Sequence, residues 1–168
     1  NGFETIAINS TGSANTATLG DTNQTSVKTI NVTGDQNLAL TTTAVTTYTT
    51  VDASAMTGAL TLTTTNAGTA TTVTGGTGND GITLGAAAVA DSIDAGAGDD
   101  TITFSANLTN ADTINGGDGT DILAGVAANL VSSAYAKPTT ATVTNIETIN
   151  VTDLLDTGNY TLSNIASG

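Results

Sequence analysis

The chain has no cysteine, no histidine and no tryptophan, and only Lys28 and Lys137 carry positive charge. Without Cys there is neither a disulfide nor a thiol nucleophile. Without His there is no imidazole base, and with both missing the usual zinc sites are excluded. The lack of Cys does not by itself fix the compartment. Two basic residues face 15 acidic ones, for a net charge of −13, so nucleic acid is excluded as a partner, because phosphate binding needs a surplus of Lys or Arg. Aromatic residues make up only 3% of the 168 residues. Phe3, Tyr48, Phe104, Tyr135 and Tyr160 do not amount to an evident stacking platform for sugars. No apolar run approaches the length needed to span a bilayer, so no membrane insertion is expected. No signal peptide is visible. The chain opens at Asn1 rather than Met and is read as a fragment of a larger protein, with any export signal lying outside it.

What is present argues for strands. Hydrophobic residues make up 38% of the chain, too many for acidic disorder. They are mostly Ala, Val, Ile and Leu, which suit a thin core, and the abundant Thr and Val fit strands better than helices. One phrase recurs: an apolar residue, a variable one, Thr or Ser, then Ile or Val. Its fourth residues are Ile6, Ile30, Val51, Val73, Ile93, Ile114 and Ile149. They lie about 20–24 residues apart until a last interval of about 35. An apolar pair follows each phrase by half a period: Leu38/Leu40, Leu60/Leu62, Ile82/Leu84 and Ile102/Phe104. Leu19, Leu123 and Tyr160/Leu162 take that place in the outer repeats.

Each period therefore reads as strand, turn, strand, turn. The predicted fold is all-β, a parallel β-solenoid (β-roll or β-helix) of about seven coils of roughly 20 residues with one insertion. A β-sandwich of short antiparallel strands is the alternative that Thr-rich alternation also allows. Stacking would turn the Thr/Ser position into a hydroxyl ladder and the Ile/Val position into an inward aliphatic column. Ala7, Asn31, Asp52, Thr74, Asp94, Asn115 and Asn150 would then form an outward, mostly polar ladder. Residues 1–168 read as one domain: N-terminal coils at 1–73, Gly/Asp-rich coils at 74–124, an insertion at 125–142 and a C-terminal coil at 143–168. A short helix is expected before Pro138, which would end it.

Three turns share a denser pattern. Gly75-Gly76-Thr77-Gly78-Asn79-Asp80 and Gly116-Gly117-Asp118-Gly119-Thr120-Asp121 both match G-G-x-G-x-D and are followed by x-apolar-x. Ala95-Gly96-Ala97-Gly98-Asp99-Asp100 departs only by Ala95. Ca²⁺ takes six to eight oxygens. Glycines let several carbonyls turn toward one point, and the closing Asp adds a carboxylate. Stacked loops would share ions, giving one site between the Gly75 and Ala95 loops and one between the Ala95 and Gly116 loops. Ala95 is tolerated if its position gives a carbonyl without needing a positive φ. Ordinary Gly-rich turns are the plainer reading of any single loop; three in phase with the coil period argue for metal. On the other edge Asp91 and Asp112 are one coil apart, either sharing a further ion or simply solvated. Asp52 is placed beside the Gly75 loop, with solvation the favoured reading, while Asp153 and Asp156 read as surface charge.

These loops resemble the calcium-binding RTX repeats of proteins exported by type I secretion in Gram-negative bacteria. The flanking text, Phe3-Glu4-Thr5-Ile6, Val32–Thr41, Val51–Gly58 and Asn145–Val151, is similar to RTX-type surface-layer proteins. The resemblance implies a structural, non-enzymatic segment at the cell surface, with two or more Ca²⁺ ions driving folding and self-association into a surface lattice. Cell-surface polysaccharide is a further partner to consider. The alternatives are a repeat module of an RTX adhesin and the noncatalytic RTX tail of a secreted enzyme.

Overall fold

A computed structural model describes residues 3–20, 26–43, 47–64, 68–85, 89–104, 108–109, 111–126 and 141–152. The expected helix before Pro138, the Tyr160/Leu162 pair, Lys137, Asp153 and Asp156 lie outside them. Every described element is a strand. They are β1 (Thr5–Ser10), β2 (Asn15–Leu19), β3 (Thr29–Gly34), β4 (Leu38–Thr42), β5 (Thr50–Met56), β6 (Leu60–Thr64) and β7 (Thr72–Thr74). They continue as β8 (Gly81–Leu84), β9 (Ser92–Asp94), β10 (Thr101–Phe104), β11 (Thr113–Asn115), β12 (Ile122–Gly125), β13 (Thr142–Thr144) and β14 (Thr148–Val151).

Odd strands form one parallel sheet in the order β1-β3-β5-β7-β9-β11-β13, and even strands form a second, running from β2 to β14. The chain alternates between sheets at every turn, which is the path of a β-solenoid and not of an antiparallel sandwich. Period-2 alternation explains the cross-section. In the odd sheet Ile30, Val51, Val73, Ile93 and Ile114 point inward and are fully buried, beneath the hydroxyl ladder Thr29, Thr50, Thr72, Ser92 and Thr113. Each buried aliphatic side chain contributes about 1.5–3 kcal/mol.

Two sequence expectations are corrected by the register. The seventh phrase, Ile146-Glu147-Thr148-Ile149, belongs to the even sheet, where Ile149 pairs with Leu123 and Asn150 with Ala124. Its expected place in the odd sheet is taken by β13, with Val143 opposite Ile114 and Thr144 opposite Asn115. The expected insertion therefore gives way to strand at Thr142. Asn150 leaves the outward ladder and Thr144 enters it.

The second correction concerns the apolar pairs. Leu38/Leu40 lies over Leu60/Leu62 as expected, but Leu62 pairs with Ile82 and Thr63 with Thr83. The pairs thus slide by two residues between β6 and β8. The shared column runs Ala17, Leu40, Leu62, Ile82, Ile102, Leu123, Ile149, and Leu19 pairs with Thr42 instead. The position held by Leu38 and Leu60 passes to Asp80. The position of buried Thr42 and Thr64 passes to Leu84 and Phe104. Those threonines have a reason to be inside: Tyr48 is fully buried, and its hydroxyl lies 2.8 Å from Thr42 Oγ1. A buried phenol needs such a partner.

Candidate functional site

The slide creates the most unusual chemistry of the molecule. In the N-terminal coils the corner N–H that opens each even strand donates to a carbonyl one coil on, as from Leu38 to Ala59 (2.9 Å). From Leu60 onward a carboxylate is the acceptor. Leu60 N–H donates to Asp80 Oδ1 (2.7 Å), Asp80 N–H to Asp100 Oδ1 (2.6 Å), and Asp100 N–H to Asp121 Oδ1 (2.9 Å). Asp121 N–H then donates to Glu147 Oε2 (2.7 Å). The three loop aspartates expected to act together are thus stacked one per coil, about 4.8 Å apart as parallel strands are. Asp80, Asp100 and Asp121 are all buried. Asp80 Oδ2 accepts from Gly76 N–H (3.0 Å), whereas Asp100 Oδ2 and Asp121 Oδ2 are buried with no hydrogen-bond partner among the described residues.

Burial dominates the electrostatics. It raises the pKa of Asp80 and Asp121 above the usual carboxylate range, against the lowering effect of the N–H donors. For Asp100 burial acts together with the charges of Asp80, Asp121 and Asp99 and lifts the value to about 7. Two carboxylates about 4.8 Å apart repel by roughly 3–4 kcal/mol at an effective dielectric constant of 20, before salt screening. Asp100 has such a neighbour on both sides.

The glycines position this ladder. Gly96 and Gly117 have φ of 103° and 105°, and Gly98 and Gly119 are also left-handed, a region that costs L side chains energy. Gly76 and Gly78 of the first loop are not in that region, although the first loop matches the motif fully. Ala95 has no positive φ and is fully buried, so its backbone makes no demand for glycine. Gly75 and Gly116 serve through close approach. A Cβ on Gly75 would collide with Ala95 O and Asp80 Oδ2, and one on Gly116 with Asn145 O and Asp121 Oδ2. A second ladder runs outside the first. Asp99 N–H donates to Asn79 Oδ1 (3.0 Å) and Thr120 N–H to Asp99 Oδ1 (2.9 Å).

On the opposite edge Asp91 and Asp112 do lie together, and they are buried rather than solvated. Thr71 N–H donates to Asp91 Oδ1 (2.8 Å), Asp91 N–H to Asp112 Oδ1 (2.8 Å), and Thr109 N–H to Asp112 Oδ2 (2.5 Å). Both oxygens of Asp112 are thereby used to hold backbone. Asp52 does not extend the loop stack. Its Oδ1 accepts from Ser54 N–H (3.0 Å) and Oγ (2.7 Å) on the outer face, and those bonds lower its pKa.

Sequence reasoning missed Glu147, although a signal existed. Each ladder carboxylate stands two residues before a core aliphatic: Asp80 before Ile82, Asp100 before Ile102, Asp121 before Leu123, Asp91 before Ile93 and Asp112 before Ile114. Glu147 stands two before Ile149.

All donors at the loop edge are oxygens, a set that suits a hard divalent cation and not zinc. Among the described residues no three or more acidic side chains converge on one point, so an ion there must also draw on backbone carbonyls. Compared with protein-family models, curated proteins and solved structures, the chain matches none.

Proposed function

We propose that this chain is a calcium-binding RTX-type segment of a secreted surface-layer protein, in which Ca²⁺ completes the fold and supports assembly of copies into a lattice outside the cell. The carrying observation is the pair of buried, unpartnered oxygens, Asp100 Oδ2 and Asp121 Oδ2, within a stack of Gly/Asp loops. An unsatisfied buried acceptor costs about 1–3 kcal/mol, more when charged. Cations held between Asp80 and Asp100 and between Asp100 and Asp121, each with loop carbonyls, remove that cost and the mutual repulsion together. The residues thus fit the ion that the loop motif implies. Calcium at about 100 times its Kd adds about 2.7 kcal/mol per site, so two sites weigh heavily against ordinary marginal stability.

Assembly is supported by the outer face of the even sheet. In a chain of net charge −13, its described strands hold no charged residue. Thr18, Thr41, Thr63, Thr83 and Thr103 form one continuous column there. Two acidic copies meeting through this face avoid the like-charge repulsion that opposes their approach elsewhere.

Calcium titration tests the reading. Circular dichroism should gain β-structure, and the melting temperature should rise by several degrees between EDTA and millimolar CaCl₂. An unchanged spectrum and melting temperature would defeat the proposal.

A further inference from the structure

The notable recurrence in the ladder lies beyond its last glycine loop. At Gly75 the place a Cβ would take is filled by two oxygens: Ala95 O from the next coil and Asp80 Oδ2 from the same loop. At Gly116 the same arrangement returns with Asn145 O from the next coil and Asp121 Oδ2 from the same loop. Asn145 holds Ala95's station in the register, since Thr144 stacks on Asn115 as Asp94 stacks on Thr74. It is the only described non-glycine residue with a positive φ, at 51°, and Asn is among the few residues that adopt this conformation readily.

We propose that the junction of the Gly116–Asp121 loop with the Asn145-Ile146-Glu147 turn is an additional calcium site, held by Asp121 Oδ2, Asn145 O and the Glu147 carboxylate. The inference rests on the calcium reading above and extends it to a turn that has no glycine motif. Three observations carry it. Asp121 is fully buried and its Oδ2 has no partner among the described residues. That oxygen and Asn145 O both crowd the position a Gly116 Cβ would take, so a carboxylate and a carbonyl oxygen from adjacent coils lie close together. Glu147 continues the carboxylate ladder by accepting the Asp121 N–H through Oε2, which leaves Oε1 for an ion. The turn is shorter than the glycine loops, and the extra methylene of Glu over Asp gives its carboxylate more reach. Remaining ligands come from loop carbonyls or water, as is usual for Ca²⁺.

The experiment is a count of bound calcium on the whole chain by native mass spectrometry and equilibrium dialysis. Wild type, Glu147→Gln and the control Glu4→Gln are compared at saturating CaCl₂. Glutamine keeps an acceptor for the Asp121 N–H but removes the charge. Glu147→Gln should bind one ion fewer than wild type, with an unchanged circular dichroism spectrum, and Glu4→Gln should bind the wild-type number. Equal counts and equal weakest Kd for wild type and Glu147→Gln overturn the additional site alone. A wild-type chain that binds no calcium overturns the calcium reading itself, and the site with it.

Discussion

Replacing Asp100 by Asn separates charge from hydrogen bonding at the middle of the carboxylate ladder. The amide oxygen can still accept the Asp80 N–H that Asp100 Oδ1 accepts at 2.6 Å. What disappears is a buried charge whose pKa is raised to about 7 by burial and by Asp80, Asp121 and Asp99. In the calcium-free protein at pH 7 that charge opposes folding by roughly 2–4 kcal/mol after allowance for solvent screening. Asp100→Asn should therefore melt higher than wild type in EDTA, by about 2–4 °C per kcal/mol for a chain of this size. In excess calcium the order should reverse. On the proposed calcium reading the middle loop would serve two ions, each contributing about 2.7 kcal/mol at 100 times Kd, and the variant would lose a carboxylate from both. Asp100→Ala behaves differently, because it leaves the Asp80 N–H buried without an acceptor and so loses stability with calcium as well. The assay is thermal melting followed by circular dichroism in EDTA and in millimolar CaCl₂. If Asn and wild type melt alike in both buffers, the ladder carries no costly charge and the reasoning fails.

Raised carboxylate pKa values also set a pH dependence. The calcium-free fold binds more protons than the unfolded chain between about pH 4 and 7, so its stability should fall as pH rises through that window; urea melts at pH 5 and pH 7 in EDTA check the sign. Gly116→Ala should destabilise by about 1–3 kcal/mol, since a Cβ there meets Asn145 O and Asp121 Oδ2. Gly81→Ala should be nearly neutral, because its Cβ meets only Thr61 Cγ2 at 4.0 Å; equal melting temperatures for the two refute the close-approach argument. Thr63→Lys should weaken concentration-dependent self-association in sedimentation experiments, whereas Thr74→Lys on the charged face should not. Both should keep the wild-type melting temperature within the small range typical of surface changes.

The aliphatic column of the odd sheet was legible because the same phrase recurs at nearly constant spacing, and its hydroxyl ladder followed from period-2 alternation. The two-residue slide was not legible. A one-residue slip exchanges the faces of a strand and is betrayed by its pattern. A slip of two keeps Leu60, Leu62, Ile82 and Leu84 all facing inward, so either register satisfies the alternation. What decided it was distant: Thr42 and Thr64 had to serve Tyr48, and Asp80 had to reach Leu60 N–H. The misplaced seventh phrase has a similar cause. Both sheets accept a carboxylate, then Thr, then Ile at their leading corner, so Glu147-Thr148-Ile149 fits either one locally. Only pairing with β12 assigns it. The stacked aspartates were foreseen from their loops. Their use as hydrogen-bond acceptors for the preceding coil was not, because it depends on the stacking itself.

The exchange of Leu38 and Leu60 for Asp80 divides the molecule into two kinds of rung. Those before the exchange close their corners with carbonyls and aliphatic side chains, except that Leu60 N–H already donates to Asp80 of the next rung. Those after it close with anions. In a solenoid, where each rung touches only its neighbours, such a division gives folding a direction: the earlier half can form first and template the later half, whose anions the proposed calcium ions would neutralise. If calcium binds as proposed, withholding it should leave the later half folded but the weaker part, so that protease cuts first after Thr74 while the segment before it outlasts the rest, a finished anvil under a softer extension.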